Sequence, residues 1–184
     1  MDRQQALELL DGHMRAENLR KHCLATEAIM RALAEHLDEP VELWGIAGLL
    51  HDLDYEETAD NPSEHGLKTA VILAESDLPT EVINAIKAHN AEVLGLERKS
   101  KLDFALTCAE SITGMVIATA LVYPDKRLKS VKPKSILKRM KQKDFARRVN
   151  RDQIRLCEEI GLSLADFAEL SLRAMQGISH ELGL

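Results

Sequence analysis

Aromatic residues are scarce in this chain of 184 residues: one Trp, two Tyr and three Phe, or 3%. That scarcity counts against an RNA-binding sheet with stacking rings, and against a β-sandwich. Cysteine is also sparse. Cys23, Cys108 and Cys157 lie far apart and form no CxxC, so a thiolate zinc site or a redox motif is not expected. An odd, unclustered set fits reduced thiols in a cytosolic protein. The most apolar stretch, Ile112 to Val122, is about half the length a membrane helix needs and carries Thr113 and Thr119. The opening MDRQQALELLDGH is charged from residue 2 and lacks an apolar signal core. The expected location is therefore cytoplasmic, with no membrane partner. No alternating apolar–polar run, internal repeat or low-complexity linker interrupts the chain.

What is present reads as helix. Hydrophobic residues make up 45% and charged residues 29%, which argues for a packed core and against disorder. The length suits one domain, residues 1–184. Asp2 with Gln5 resembles a capping box for a helix ending near Gly12. Residues 16–37 place Leu19, His22, Ile29, Leu33 and Leu37 near one face. Pro40 opens a helix through Trp44, Ala47, Leu50 and His51. An acidic loop, DYEETADNPS, follows. Ser63 is expected to cap a helix to about Ser76, and Thr80 one to His89. Residues 100–122 form a long apolar helix in which Leu102, Leu106, Glu110, Thr113 and Ile117 share a face. Asn150 with Gln153 reads as another capping box, Gly161 as a helix stop, and Ser163 as the cap of a last helix. The expected fold class is all-α, with roughly eight or nine helices.

Charge is uneven. The net charge is −6, yet residues 126–148 hold eleven Lys/Arg against one acid, Asp144, a net of +10; the remainder therefore sums to −16. The basic segment includes Lys132, Lys134, Lys138, Arg139 and Lys143, then Arg147 and Arg148. Two readings stand: a solvated face, or a clamp for substrate phosphates formed by Lys134, Lys138 and Arg139. Nucleic acid is disfavoured by the acidic remainder and the few aromatics.

Of seven histidines, His13, His36 and His180 lie near expected helix ends and read as solvated or capping groups. The others form a series: His22 on an apolar helix face, His51 followed at once by Asp52, His65 at a helix start, His89 at a helix end. A carboxylate, Glu110, then sits on an otherwise apolar stripe. An ionised carboxylate there is costly unless it is paired or bound to a metal. Asp54, three residues past His51, is read either as a group that orients a ligand or shuttles a proton, or as a solvated acid of the loop.

The segments LRKHCLATEAIM, GLLHDLDY, SEHGLKTAVIL, INAIKAHN and ALTCAESITG resemble the five motif regions of the HD-domain superfamily of metal-dependent phosphohydrolases, in particular its small stand-alone HD/HDIG group. The likeness runs from about residue 15 to about residue 150, with residues 151–184 expected to pack on that core. It implies an HD-like helical bundle and one or two divalent ions. His22, His51 and Asp52 would be ligands, His65 and His89 would hold a second ion, and Asp52 would bridge. The family's last ligand is Asp; here the matching residue is Glu110, one methylene longer. Imidazole and carboxylate ligands suit Mn²⁺, Fe²⁺, Co²⁺, Ni²⁺ or Zn²⁺, with Mg²⁺ not separable from these by sequence. The implied activity is hydrolysis of a nucleotide-like or other small phosphate ester by metal-activated water, with Asp52 and Asp54 as its catalytic carboxylates. The resemblance leaves two further readings: a di-iron oxygenase of the same ligand pattern, and a regulatory domain that binds a ligand without chemistry.

Overall fold

The computed structural model describes all 184 residues and contains helices and no strand. The α-helices are α1 (Arg3–His13), α2 (Glu17–Leu37), α3 (Val41–Leu50), α4 (Tyr55–Thr58), α5 (Leu67–Ile72), α6 (Thr80–His89), α7 (Ala91–Leu94), α8 (Lys101–Leu121), α9 (Pro133–Met140), α10 (Arg151–Arg155), α11 (Leu164–Gly177) and α12 (Ser179–Leu182). Three of these, α4, α7 and α12, are single turns of four residues. Nine helical segments have six residues or more when α10 is counted with the 3-10 turn Leu156–Ile160 that continues it. The all-helical expectation and its count of principal helices therefore hold.

Local chemistry explains many of the ends. Asp2 accepts from the Gln5 N–H while the Gln5 side chain accepts from the Asp2 N–H, the reciprocal cap read from the sequence. Ser100 and Asp103 form a second such box at the head of α8. Ser163 caps α11 by accepting from the Asp166 N–H. Three expectations need correction. The helix expected from Ser63 starts instead at Leu67, because Asp54 supplies the cap from a distance: its Oδ2 accepts from the N–H groups of Gly66 and Thr69, both at 2.8 Å. Gly66 enters the helix at φ +83°, a conformation that favours glycine. Thr80 is the first residue of α6, with Pro79 in the cap position. Asn150 does cap α10, but Gln153 does not reciprocate, since its side chain reaches Glu92 and Ser111.

Helix α8 runs through the centre, with 14 of its 21 residues buried. By length and composition it is apolar enough to cross a membrane, but it packs on α2, α6, α9, α10 and α11 and serves as a core helix. Forty-three buried apolar residues, from Ala6 to Leu182, join in one cluster. The closest pairing is α2 with α3. A Cβ at Gly48 would stand 3.0 Å from the Glu27 backbone and 2.9 Å from Met30 Cγ. Glycine there lets the two helices approach, and that approach sets the end of α3, with His51, against His22 of α2.

Candidate metal centre

Six elements converge on one cavity of about 390 Å³, lined by His22, Asp52, Tyr55, His65, His89 and Glu110, with Leu19, Asn90 and Gln153 at its edges. His22 comes from the middle of α2. His51 and Asp52 follow the last turn of α3, His65 lies in the turn before α5, and His89 ends α6. A larger groove of about 600 Å³, lined by Glu81, Lys87 and Asp103 among others, touches none of these histidines.

Each imidazole has its Nδ1 committed. His51 donates to the Gly48 carbonyl at 2.8 Å, and His89 donates to the Ile86 carbonyl. His22 donates to Thr113 Oγ1 at 2.9 Å; the Thr113 hydroxyl spends its own proton on the Glu110 carbonyl, at 2.6 Å. His65 donates to Asp54 Oδ1 at 2.7 Å. With the Nδ1 atoms protonated, all four Nε2 atoms offer lone pairs to the cavity. They lie close together, His22 to His51 at 3.2 Å and His65 to His89 at 2.8 Å. Lone pairs at such distances repel unless a proton or a metal ion stands between them.

Asp52 completes both pairs. Its Oδ2 is 3.6 Å from His22 Nε2, and its Oδ1 is 3.5, 3.3 and 3.6 Å from the Nε2 atoms of His51, His65 and His89. Two triads result, His22–His51–Asp52 and Asp52–His65–His89, with Asp52 common to both. Donors bound about 2.1 Å from one ion stand roughly 3.0–3.4 Å apart at octahedral or tetrahedral angles. The observed spacings bracket that range, so the residues fit one or two divalent cations. No cysteine takes part; Cys23, Cys108 and Cys157 are buried free thiols.

The electrostatics call for a cation. His51 is wholly buried, and burial pulls its pKa down to about 3. Burial alone would lower His65 as well, but hydrogen bonds and charge from Asp52 and Asp54 outweigh it and raise the ring to about 9. Burial works to raise Asp52, yet the surrounding histidines hold it well below the usual carboxylate range. A buried carboxylate held in its charged form among these imidazoles suits a divalent ion.

Asp54 is not a solvated acid. It is fully buried, fixes the His65 ring and accepts two backbone N–H bonds, while its own N–H donates to Thr69 Oγ1 at 3.2 Å. It touches no cavity wall and acts through His65, so it is a positioning residue. In Asp54→Asn the single carbonyl oxygen is needed by the Gly66 and Thr69 amides, which turns the NH₂ toward His65 Nδ1. The His65 proton must then move to Nε2, where a metal ligand needs its lone pair. We expect Asp54→Asn to fold and to bind the second metal ion about 10–100-fold more weakly. Metal titration checks the affinity and ¹⁵N imidazole shifts check the tautomer; unchanged values of both would remove the assignment.

Glu110 lies on the same cavity wall but outside both triads. Its Oε1 accepts from Ser111 Oγ at 2.7 Å. Burial raises its pKa, outweighing the pull of His22 and His89. A hydrogen-bonded chain continues from it. Ser111 Oγ also lies 3.0 Å from Gln153 Oε1, the Gln153 amide donates to Glu92 at 3.1 Å, and Arg98 grips Glu92 with two bonds of 2.8 Å. That guanidinium holds Glu92 down at about 2. Arg98 also donates to the His89 carbonyl at 3.1 Å, tying the chain to the end of α6. Gln153 is a cavity residue that sequence reading assigned to a helix cap.

The phosphate-clamp residues expected from the sequence do not reach the cavity. Helix α9 buries Ile136 and Met140, which turns Lys134 and Lys138 to solvent. Arg139 stacks its guanidinium 5.0 Å over the Phe145 ring. From the same basic segment, Arg148 does reach the site, on a side pocket of about 230 Å³ that shares His22, Glu110 and Gln153 with the main cavity.

The sequence matches the family model for the HD domain over residues 19–166. No curated protein and no solved structure matches the chain.

Proposed function

The chain belongs to the HD-domain family, and from that premise we propose that it is a metal-dependent phosphohydrolase acting on a nucleotide or another small phosphate ester. One observation carries the reading: four imidazoles with tied Nδ1 atoms present their Nε2 lone pairs around a single shared carboxylate, in a partly open cavity. A structural site would be closed, whereas this one has room for a substrate. His22, His51, Asp52, His65 and His89 would hold the divalent ions, which when bound would supply a water of lowered pKa and neutralise phosphoryl oxygens.

The chain's own residues do the rest. Asp52 keeps both ligand sets in register. Asp54, Gly48, Ile86 and Thr113 lock the four rings into one tautomer, so no reorganisation is needed when a substrate arrives. Tyr55 stands edge-on to His65, with ring centroids 5.4 Å apart, and gives the cavity mouth an aromatic wall. Glu110 supplies a carboxylate within the same cavity.

A panel of nucleotides and simple phosphate esters, assayed with Mn²⁺, Fe²⁺, Co²⁺, Ni²⁺, Zn²⁺ or Mg²⁺, tests the proposal. Phosphate release is expected with at least one metal, equal in air and under anaerobic conditions, and abolished by chelation. Release that survives chelation would overturn the metal-dependent mechanism, and turnover that requires oxygen would identify an oxygenase instead.

A further inference from the structure

We propose that Arg148 is the residue that binds the substrate's phosphoryl group, an assignment that rests on the phosphohydrolase reading and adds its anion-recognition element. The cavity and its side pocket meet at His22, Glu110 and Gln153. Across both walls Arg148 is the one Lys or Arg. The carboxylates Asp52 and Glu110 line the same space, and a guanidinium beside them would offset their repulsion of a phosphate dianion.

Arg148 is also free to serve. Its guanidinium has no ion-pair or hydrogen-bond partner, whereas the neighbouring Arg147 pairs with Asp144 at 3.3 Å. The other polar side chains of the side pocket are committed: Ser111 and Gln153 to their chain, Thr113 to His22, and the Asn150 oxygen to the head of α10. Arg148 keeps all five donors, in the fork that matches two phosphoryl oxygens.

The loop that carries it is built in place. Arg151 donates to the carbonyls of Met140 at 3.2 Å, Gln142 at 2.9 Å, Val149 at 3.2 Å and Phe145, four points along the loop from one side chain. Ala146 turns the loop at φ +44°, a left-handed conformation that a non-glycine residue holds only when its surroundings enforce it. Val149 seats on Gly114 of α8, where a Cβ would come within 3.0 Å of Val149 Cγ2. Glycine is unfavourable inside a helix; here it lets the loop lie against the helix that bears Glu110. Arg148 thereby lines a pocket with His22 and Glu110 although it lies 38 positions after Glu110 in sequence.

Inorganic phosphate is the probe, titrated into the Mn²⁺-loaded protein and followed by calorimetry and ³¹P line broadening. Arg148 is exposed, so its replacement leaves the core intact. Arg148→Ala should weaken phosphate binding at least about tenfold, Arg148→Lys should recover part of the loss, and metal content should not change. A Lys134→Ala/Lys138→Ala double variant should bind phosphate like the parent. On any ester the protein cleaves, Arg148→Ala should raise KM more than it lowers kcat. Phosphate binding that is absent from the parent, undiminished in Arg148→Ala, or equally lost in the lysine double variant overturns the assignment. If phosphate binding follows Arg148 while no ester is cleaved with any metal, the hydrolase reading fails and the anion site stands.

Discussion

Asp52→Ala is expected to empty both halves of the metal centre and to lower phosphoester hydrolysis by at least about 10³-fold, roughly 4 kcal/mol of transition-state stabilisation. Asp52 is the only group common to the two triads, and each of its oxygens faces Nε2 atoms at 3.3–3.6 Å. Without it, each ion would keep two neutral imidazoles and lose the one negative charge placed between the sites. The fold should survive, because Asp54 still pairs with His65 and no buried charge is left without a partner. The helical circular dichroism should therefore be retained while elemental analysis finds the metal gone. Undiminished metal in a folded Asp52→Ala protein would eliminate the bridging role.

The second large effect is expected at Glu110, the other carboxylate of the same cavity. Its carboxylate is tethered to Ser111 and stands apart from both triads. One such hydrogen bond contributes about 1 kcal/mol, less than the attraction of a divalent ion in a site of low polarity. Glu110 lines the same cavity as His22 and Asp52, so its carboxylate shares their space. Glu110→Gln removes the charge at constant size and should lose both metal and activity. Glu110→Asp should keep both within about tenfold, or 1.4 kcal/mol. Parallel metal analysis and kinetics on the two variants decide it; full metal and full activity in Glu110→Gln would show that Glu110 is not a ligand.

How much of this was legible in the sequence depended on whether the deciding contact was local. The box of Asp2 with Gln5, the span of α2 and the long apolar α8 all follow from neighbours within one or two turns. The four histidines and Asp52 were legible for a related reason. Each sits at a helix end or on a helix face that its own periodicity defines, and the order of the motifs carried the rest. The failures involve distant partners. Ser63 looked like a cap because the residue that does cap α5, Asp54, lies twelve residues before Gly66 and is brought there by the turn after α3. Gln153 had the spacing of a capping residue, yet Ser111 and Glu92, 42 and 61 residues away, take its side chain. The basic segment left open whether any of its cations faces the cavity. The seat of Val149 on Gly114 brings Arg148 to the side pocket and the face α9 buries turns Lys134 and Lys138 to solvent, and neither leaves a mark in the charge pattern.

The most direct test is anomalous diffraction from crystals of the Mn²⁺-loaded protein. The account predicts one or two anomalous peaks on either side of the Asp52 carboxylate, bounded by His22 and His51 on one side and by His65 and His89 on the other. Saturating metal that leaves this cluster without a peak, or peaks confined to other sites, would contradict it.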